Sequence, residues 1–337
     1  DPKPRARSSA VLPCIDPRRM VHRGFPGERP IMRPMRGILY KLCAVVMFII
    51  MASLIKATSA NVPPGEAVFF RSVFAIPVIL GWLTLRRELT TGLRVKAPMG
   101  HVWRGVVGTT AMGLGFAGLA YLPLPEVTAI GYAAPLLTVI FAAMFLGENV
   151  RLFRISAVVL GLVGVLIVLS PRLSVAPGPG NEAAAFGAML VLGSAVFAAL
   201  AQVFVRKLVA QEKTSAIVFY FSLTSTGLSL ITLPFGWVVP GVTEAALLIT
   251  AGVLGGFGQI FLTSSYREAD ASVVAPFDYA SMLFALGIGY WVFDEVPTTT
   301  MLAGAALVVA AGVIIIFRER QLGLQRAQQR KAMSPQG

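Results

Sequence analysis

From Gly37 to Phe317 the chain is a succession of apolar windows, each roughly 20 residues long, separated by short polar breaks. At 1.5 Å per residue, one such window crosses a hydrocarbon core of about 30 Å as a helix. Ten spans are read: 37–60, 65–85, 102–122, 124–146, 152–170, 184–205, 215–236, 244–265, 271–293 and 299–317. Of 337 residues, 56% are hydrophobic and 13% charged, far from the balance of a soluble domain. The expected fold is an all-α membrane protein of ten transmembrane helices, with the lipid bilayer as its first partner.

Orientation follows from the polar breaks. With the N-terminus in the cytoplasm, the inside connections hold Arg86, Arg87, Arg94, Lys96 and Arg104, then Arg151 and Arg154, then Arg206, Lys207 and Lys213, then Arg267. The outside loops hold Arg172, with Lys56 at a span end. Cytoplasmic loops collect Lys and Arg, so both termini are expected in the cytoplasm, across a bacterial inner membrane. The net charge is +13, and residues 1–36 and 318–337 supply +10 of it. Basic ends beside membrane spans obey the same rule, so no nucleic-acid partner is expected.

Residues 1–36 are rich in Pro and Arg without a sustained apolar run, and read as a disordered basic tail, not a signal peptide. The chain opens without Met; Met20, Met32 and Met35 are the candidate starts. Residues 318–337 form a second basic tail. PRLSVAPGPGNE at 171–182 marks a periplasmic linker between halves at 37–170 and 183–317.

The two halves are related. VFFRS at 68–72 aligns with VFYFS at 218–222, an offset of 150 that also sets Lys56 against Arg206. At 145, Gly113, Phe116 and Tyr121 meet Gly258, Phe261 and Tyr266. At 147, Val127, Tyr132 and Glu148 meet Val274, Tyr279 and Glu295, and one residue further Gly164-Val165 meets Gly312-Val313. Five spans is an odd number, so the second copy enters the membrane from the opposite side. Two inverted five-helix repeats supply two equivalent packings of one scaffold, the basis of alternating access.

The text PGEAVFFRS at the second span, LGE at Leu146–Glu148 and its partner FDE at Phe293–Glu295, in this order and on this ten-span plan, resemble the EamA group of the drug/metabolite transporter superfamily. The resemblance covers residues 37–317. It implies a small-metabolite carrier with no ATPase domain and a central cavity formed by both halves. APFDYASMLFALGIGYWVFDEVP is similar to the subgroup containing S-adenosylmethionine and riboflavin uptake carriers.

Several residues are candidates for the site. Asp278 lies about 10 Å into its span, where a carboxylate costs roughly 2.5–3.5 kcal/mol on insertion scales. It reads equally as a ligand for a substrate cation or coupling proton, and as a structural partner of Arg104, His101 or Arg267. Pro276 lacks the backbone N–H and loosens the helix beside it. Arg71, also about 10 Å deep, reads first as an anchor bonded to Glu126 or to helix-end carbonyls, and second as a receptor for a substrate anion. Tyr132 and Tyr279 should face each other across the repeat axis, and Gln202 and Gln259 offer hydrogen bonds deep in their spans. Lys56, Glu66 and Glu126 form a charge cluster, and Glu148 and Glu295 read as helix-end or gate residues on opposite faces.

GLGFAG at Gly113–Gly118 matches a dinucleotide-binding pattern but lies inside a span, so it is read, like GVLGG at 252–256, as a place of close helix approach. Two cysteines and two histidines leave no metal site, cofactor site or catalytic group to assemble. The function expected is secondary transport of a small-molecule substrate, such as an S-adenosylmethionine-like, flavin or amino-acid-type solute, by a single chain or a homodimer. The alternatives are a polytopic membrane enzyme acting on lipid and a non-transporting scaffold.

Overall fold

Prolines decide where the long apolar stretches are whole and where they break. The computed structural model describes residues 34–146, 152–173, 179–269 and 271–333, and every regular element among them is helical. The first helix, α1, is Pro34–Thr58. The second apolar stretch is interrupted: α2 (Pro64–Val73) and α3 (Ala75–Leu85) meet at Phe74. Pro77 cannot donate to the Val73 carbonyl, which accounts for the break. After the short α4 (Leu89–Gly92), α5 (Pro98–Leu119) opens with Pro98 in its first turn, where a missing N–H costs nothing.

The same device recurs. α6 (Leu124–Gly131) and α7 (Ala133–Leu146) meet at Tyr132, three residues before Pro135. Then come α8 (Leu152–Leu173), α9 (Pro179–Val209) and α10 (Thr214–Ser229), the last continued by a 3₁₀ turn at Leu230–Phe235 containing Pro234. α11 (Val242–Glu268) is unbroken. The ninth apolar stretch is α12 (Ala271–Val274), a 3₁₀ turn at Ala275–Tyr279 and α13 (Ala280–Phe293). α14 is Thr299–Met333. The uninterrupted spans expected at 65–85, 124–146, 215–236 and 271–293 are thus each composite.

Among the described residues, six stretches are long and apolar enough to cross a membrane: Met35–Thr58, Pro64–Leu85, Leu124–Phe141, Glu182–Val209, Thr214–Phe235 and Val242–Glu268. Ile155–Pro171, Phe277–Phe293 and Thr299–Ile314 are shorter apolar helices. α5 occupies the third expected span but begins four residues earlier, which sets Arg104, expected near the start of the span, deeper in the helix. α14 runs into the expected basic tail, as far as Met333.

α1 packs along α11, α5 along α9, and α8 along α14, while α2 contacts α10 and α11. The α8–α14 crossing depends on two glycines. A Cβ at Gly164 would stand 2.9 Å from the Gly304 carbonyl oxygen, and one at Gly304 would stand 2.7 Å from that of Gly164. The reading of GVLGG as a close approach holds at Gly252, where a Cβ would come 2.6 Å from that of Phe74. In GLGFAG it holds at Gly118 against Val191, whereas Gly113 has open space. Leu160, Leu166, Phe186, Leu283 and Trp291 are exposed, leaving an apolar exterior suited to lipid.

Candidate functional site

Two adjoining cavities lie inside the helix bundle. The first, of about 340 Å³, is bounded by α1, α2, α5, α6, α9, α10 and α11, and its polar lining is set by Arg71, Arg104, Gln202 and Gln259, with Thr128 and Ser194. The second, of 270 Å³, is lined by Tyr132, Asp278 and Ser281. Phe48, Thr128 and Gln202 border both, so the two chambers share a wall.

Arg71 lies on the buried face of α2 with Ala67, Val68 and Ser72, and is 1% exposed. Its Nη2 donates to the Gly255 carbonyl at 3.5 Å, while Nε and Nη1 have no hydrogen-bond partner. This carbonyl belongs to the middle of α11, so the expected anchoring to helix-end carbonyls is not found. Arg104 is 6% exposed, and its Nε and Nη1 also lack partners. Both guanidiniums pack on Phe221, with Cζ 5.4 Å from the ring centroid for Arg71 and 3.9 Å for Arg104. A Cβ on Gly108 would collide with Arg104 Nη1, so the absence of a side chain one turn along α5 makes room for the guanidinium.

In the second chamber, the turn at Ala275–Tyr279 brings Asp278 to the surface of the cavity. Its Oδ1 lies 2.8 Å from Lys41 Nζ, the carboxylate side chain 31% exposed and the lysine 1%. Lys41 also donates to the Tyr266 hydroxyl at 3.3 Å. The Tyr132 hydroxyl shares a 2.8 Å hydrogen bond with Ser281 Oγ. Tyr132 and Tyr279 pack edge to face with centroids 5.0 Å apart, as their matched positions predict. Tyr279 lines neither cavity and is packed against Gly312 of α14.

The partners expected for Asp278 lie elsewhere. His101 Nε2 is 3.8 Å from Glu212 Oε1, and Arg267 donates to the Glu212 carbonyl. Glu212 is tethered by the backbone N–H groups of Lys96 and Ala97, at 2.6 and 2.7 Å. Position along the chain could place these groups at similar depth but could not place them around one axis. Lys41 was missed because it stands alone in an apolar run; its being a lysine at the fifth residue of the span expected at 37–60 was the available signal.

Lys56 pairs with Glu295 at 2.9 Å and donates to the Leu119 and Leu122 carbonyls at 3.3 and 2.8 Å. Glu295 Oε2 accepts from the Leu124 N–H at 2.8 Å. The pair therefore joins the end of α5, the start of α6 and the end of the ninth stretch. Glu66, buried, accepts from the Val238 N–H at 3.1 Å, and Glu126 is buried in the first turn of α6. Glu148 lies outside the described residues. Among those residues, no three His, Cys, Asp or Glu side chains are grouped to hold a metal.

The model of the EamA-like transporter family matches residues 35–170 and again residues 185–318. The pseudopaline exporter CntI of Pseudomonas aeruginosa is 35% identical, over 83% of this chain and 95% of its own. The S-adenosylmethionine uptake transporter of Rickettsia prowazekii is 27% identical over 85% and 94%, and the riboflavin transporter of Vibrio cholerae 29% over 84% and 93%. A solved crystal structure with TM-score 0.62 covers 85% of this chain and 98% of its own at 20% identity, a likeness of fold alone.

Proposed function

This chain belongs to the EamA-like transporter family, and from that premise we propose a secondary carrier that moves a small organic metabolite across a bacterial inner membrane by alternating access. The observation that carries the reading is a largely apolar chamber that holds two arginines and two glutamines inside the bundle, lined by both matched segments. Arg71 and Arg104 come from the first segment, Gln202, Phe221 and Gln259 from the second.

Ten passages in two inverted repeats account for the packing. Exchanging the halves carries α1 into α9, α5 into α11 and α8 into α14. The pairs α1–α11, α5–α9 and α8–α14 then map onto one another. Matched residues also meet: Tyr132 packs on Tyr279, and Arg71 lies on Phe221. An approximate twofold axis brings equivalent residues near it together, and carriers built this way hold substrate at the repeat interface. Lys41 and Lys56 of α1 pair with Asp278 and Glu295, so the first and ninth passages run in the same direction, as two odd-numbered passages must. The cytoplasmic placement of both termini rests on the distribution of Lys and Arg.

The relatives are named for pseudopaline, S-adenosylmethionine and riboflavin, which supports a metabolite-sized organic solute here, of S-adenosylmethionine-like, flavin or amino-acid type. Direction follows the solute and coupling gradients, since nothing in a reversible carrier fixes import over export. Reconstituted liposomes test the reading. Flux of an unchanged solute is expected; formation of a product would make the chain an enzyme, and absence of flux for every solute class would leave a scaffold.

A further inference from the structure

We propose that Arg71 and Arg104 together form the receptor for a substrate carboxylate, so that the cargo is an organic carboxylate and not an uncharged flavin. The proposal rests on the carrier reading and assigns the chemistry of its site.

Both guanidiniums are buried and both line the larger chamber. Nε and Nη1 of each have no hydrogen-bond partner. No Asp or Glu is among the described residues lining that chamber. Acids elsewhere are engaged: Asp278 by Lys41, Glu295 by Lys56, and Glu66 by the Val238 N–H. Two like charges therefore share one ring, with no counter-charge among the described residues lining their chamber.

Magnitudes weigh against a purely structural role. Stacking on Phe221 stabilises each cation by about 0.5–2 kcal/mol, whereas burying an ion costs several kcal/mol even after relaxation. An anchoring arginine closes that gap by saturating its N–H groups on carbonyls. Arg71 makes one hydrogen bond, at 3.5 Å, and Arg104 makes none among the described residues. Glycines instead let both groups lie close against the helix backbones without bonding to them: a Cβ on Gly255 would stand 2.9 Å from Arg71 Nε, and one on Gly108 would strike Arg104. An arriving carboxylate supplies what is missing. Its two oxygens accept from planar guanidinium forks in a geometry an ammonium does not offer. The second chamber adds no opposing demand, because Lys41 already neutralises Asp278.

The test uses the full-length protein purified in detergent, with Arg71→Met and Arg104→Met. Thermal unfolding is followed with S-adenosylmethionine, citrate, glutamate and histidine, each beside its carboxamide, and with riboflavin as the uncharged probe. A ligand bound to the native state raises the melting temperature. The expected stabilisers are carboxylates only, with the shift lost in both variants. Without any probe, both variants should melt at or above the parent, because an uncompensated buried charge has been removed. Stabilisation by riboflavin or by carboxamides as strong as by the acids overturns the proposal. So do unliganded variants melting about 5 °C or more below the parent, which decides the matter even if no probe binds. Failure of the carrier reading is seen separately, as absence of solute flux in liposomes of the parent protein.

Discussion

Lys41 Nζ and Asp278 Oδ1 stand 2.8 Å apart, joining a fully buried ammonium to a carboxylate that still reaches a cavity. Removing one partner of a buried pair costs about 3–5 kcal/mol, whereas replacing both with apolar groups of similar shape is often neutral. The two single substitutions should therefore differ. Asp278→Leu strands a cation that is 1% exposed and lowers the melting temperature most, while Lys41→Met leaves a carboxylate that can be hydrated. The double variant Lys41→Met/Asp278→Leu should regain most of the loss. A double-mutant cycle on thermal unfolding checks this, and simple additivity of the two losses would show that the pair is not coupled.

Folding and transport separate in the same variants. If Asp278 receives a substrate group or a coupling proton, the refolded double variant should retain less than a tenth of the parental flux in liposomes, with no response to an imposed pH gradient. Flux at the parental rate would leave Asp278 a structural partner of Lys41 and nothing more.

Tyr279 and Gly312 form a second testable pair. A Cβ at Gly312 would overlap the Tyr279 hydroxyl, and Tyr279 is 8% exposed with little room to retreat. Overpacking of this kind costs about 1–3 kcal/mol. Gly312→Ala should lower the melting temperature, and its effect should shrink by at least half in a Tyr279→Leu background, which removes the hydroxyl together with the ring carbons that a Cβ would also meet. Equal effects of Gly312→Ala in the Tyr and Leu backgrounds would place the strain elsewhere.

Apolar length and matched positions were legible in the sequence because each depends on a single helix or on a constant offset. The offset of 147 set Tyr132 against Tyr279, and the rings meet. The offset of 150 set Arg71 against Phe221, and the guanidinium lies on that ring. The helix breaks at Phe74 and Tyr132 were also written there, three residues before Pro77 and Pro135, but apolar continuity concealed them. The partner of Asp278 was not legible. A helix apolar on every side carries no period to show which face meets which neighbour, so depth alone could not single out Lys41. The role of Arg104 was hidden for a related reason: near the start of its expected span it counted with the inside cations, whereas it is the seventh residue of α5, whose start at Pro98 is the signal that would have placed it deeper.

The Lys56–Glu295 pair should act as a latch on one end of the site. It closes over the shared ends of α5, α6 and the ninth stretch, with both side chains about one-seventh exposed, at 13% and 14%. Alternating access requires one end of the bundle to part, and a contact made in only one state biases the equilibrium by the free energy it contributes. A partly buried, hydrogen-bonded ion pair contributes about 1–2 kcal/mol, which corresponds to a shift of roughly 5–30-fold. Glu295→Gln should therefore increase the population open at that end. The measurement places a cysteine at Ala52, on the wall of the larger chamber, in a background lacking Cys14 and Cys43, and follows its reaction with a membrane-impermeant maleimide. Labelling from the Lys56 side should accelerate in Glu295→Gln, and labelling from the opposite side should slow. Acceleration from both sides would mean that the substitution loosens the whole bundle, and no change from either side would make Lys56 and Glu295 caps for helix ends without a part in gating.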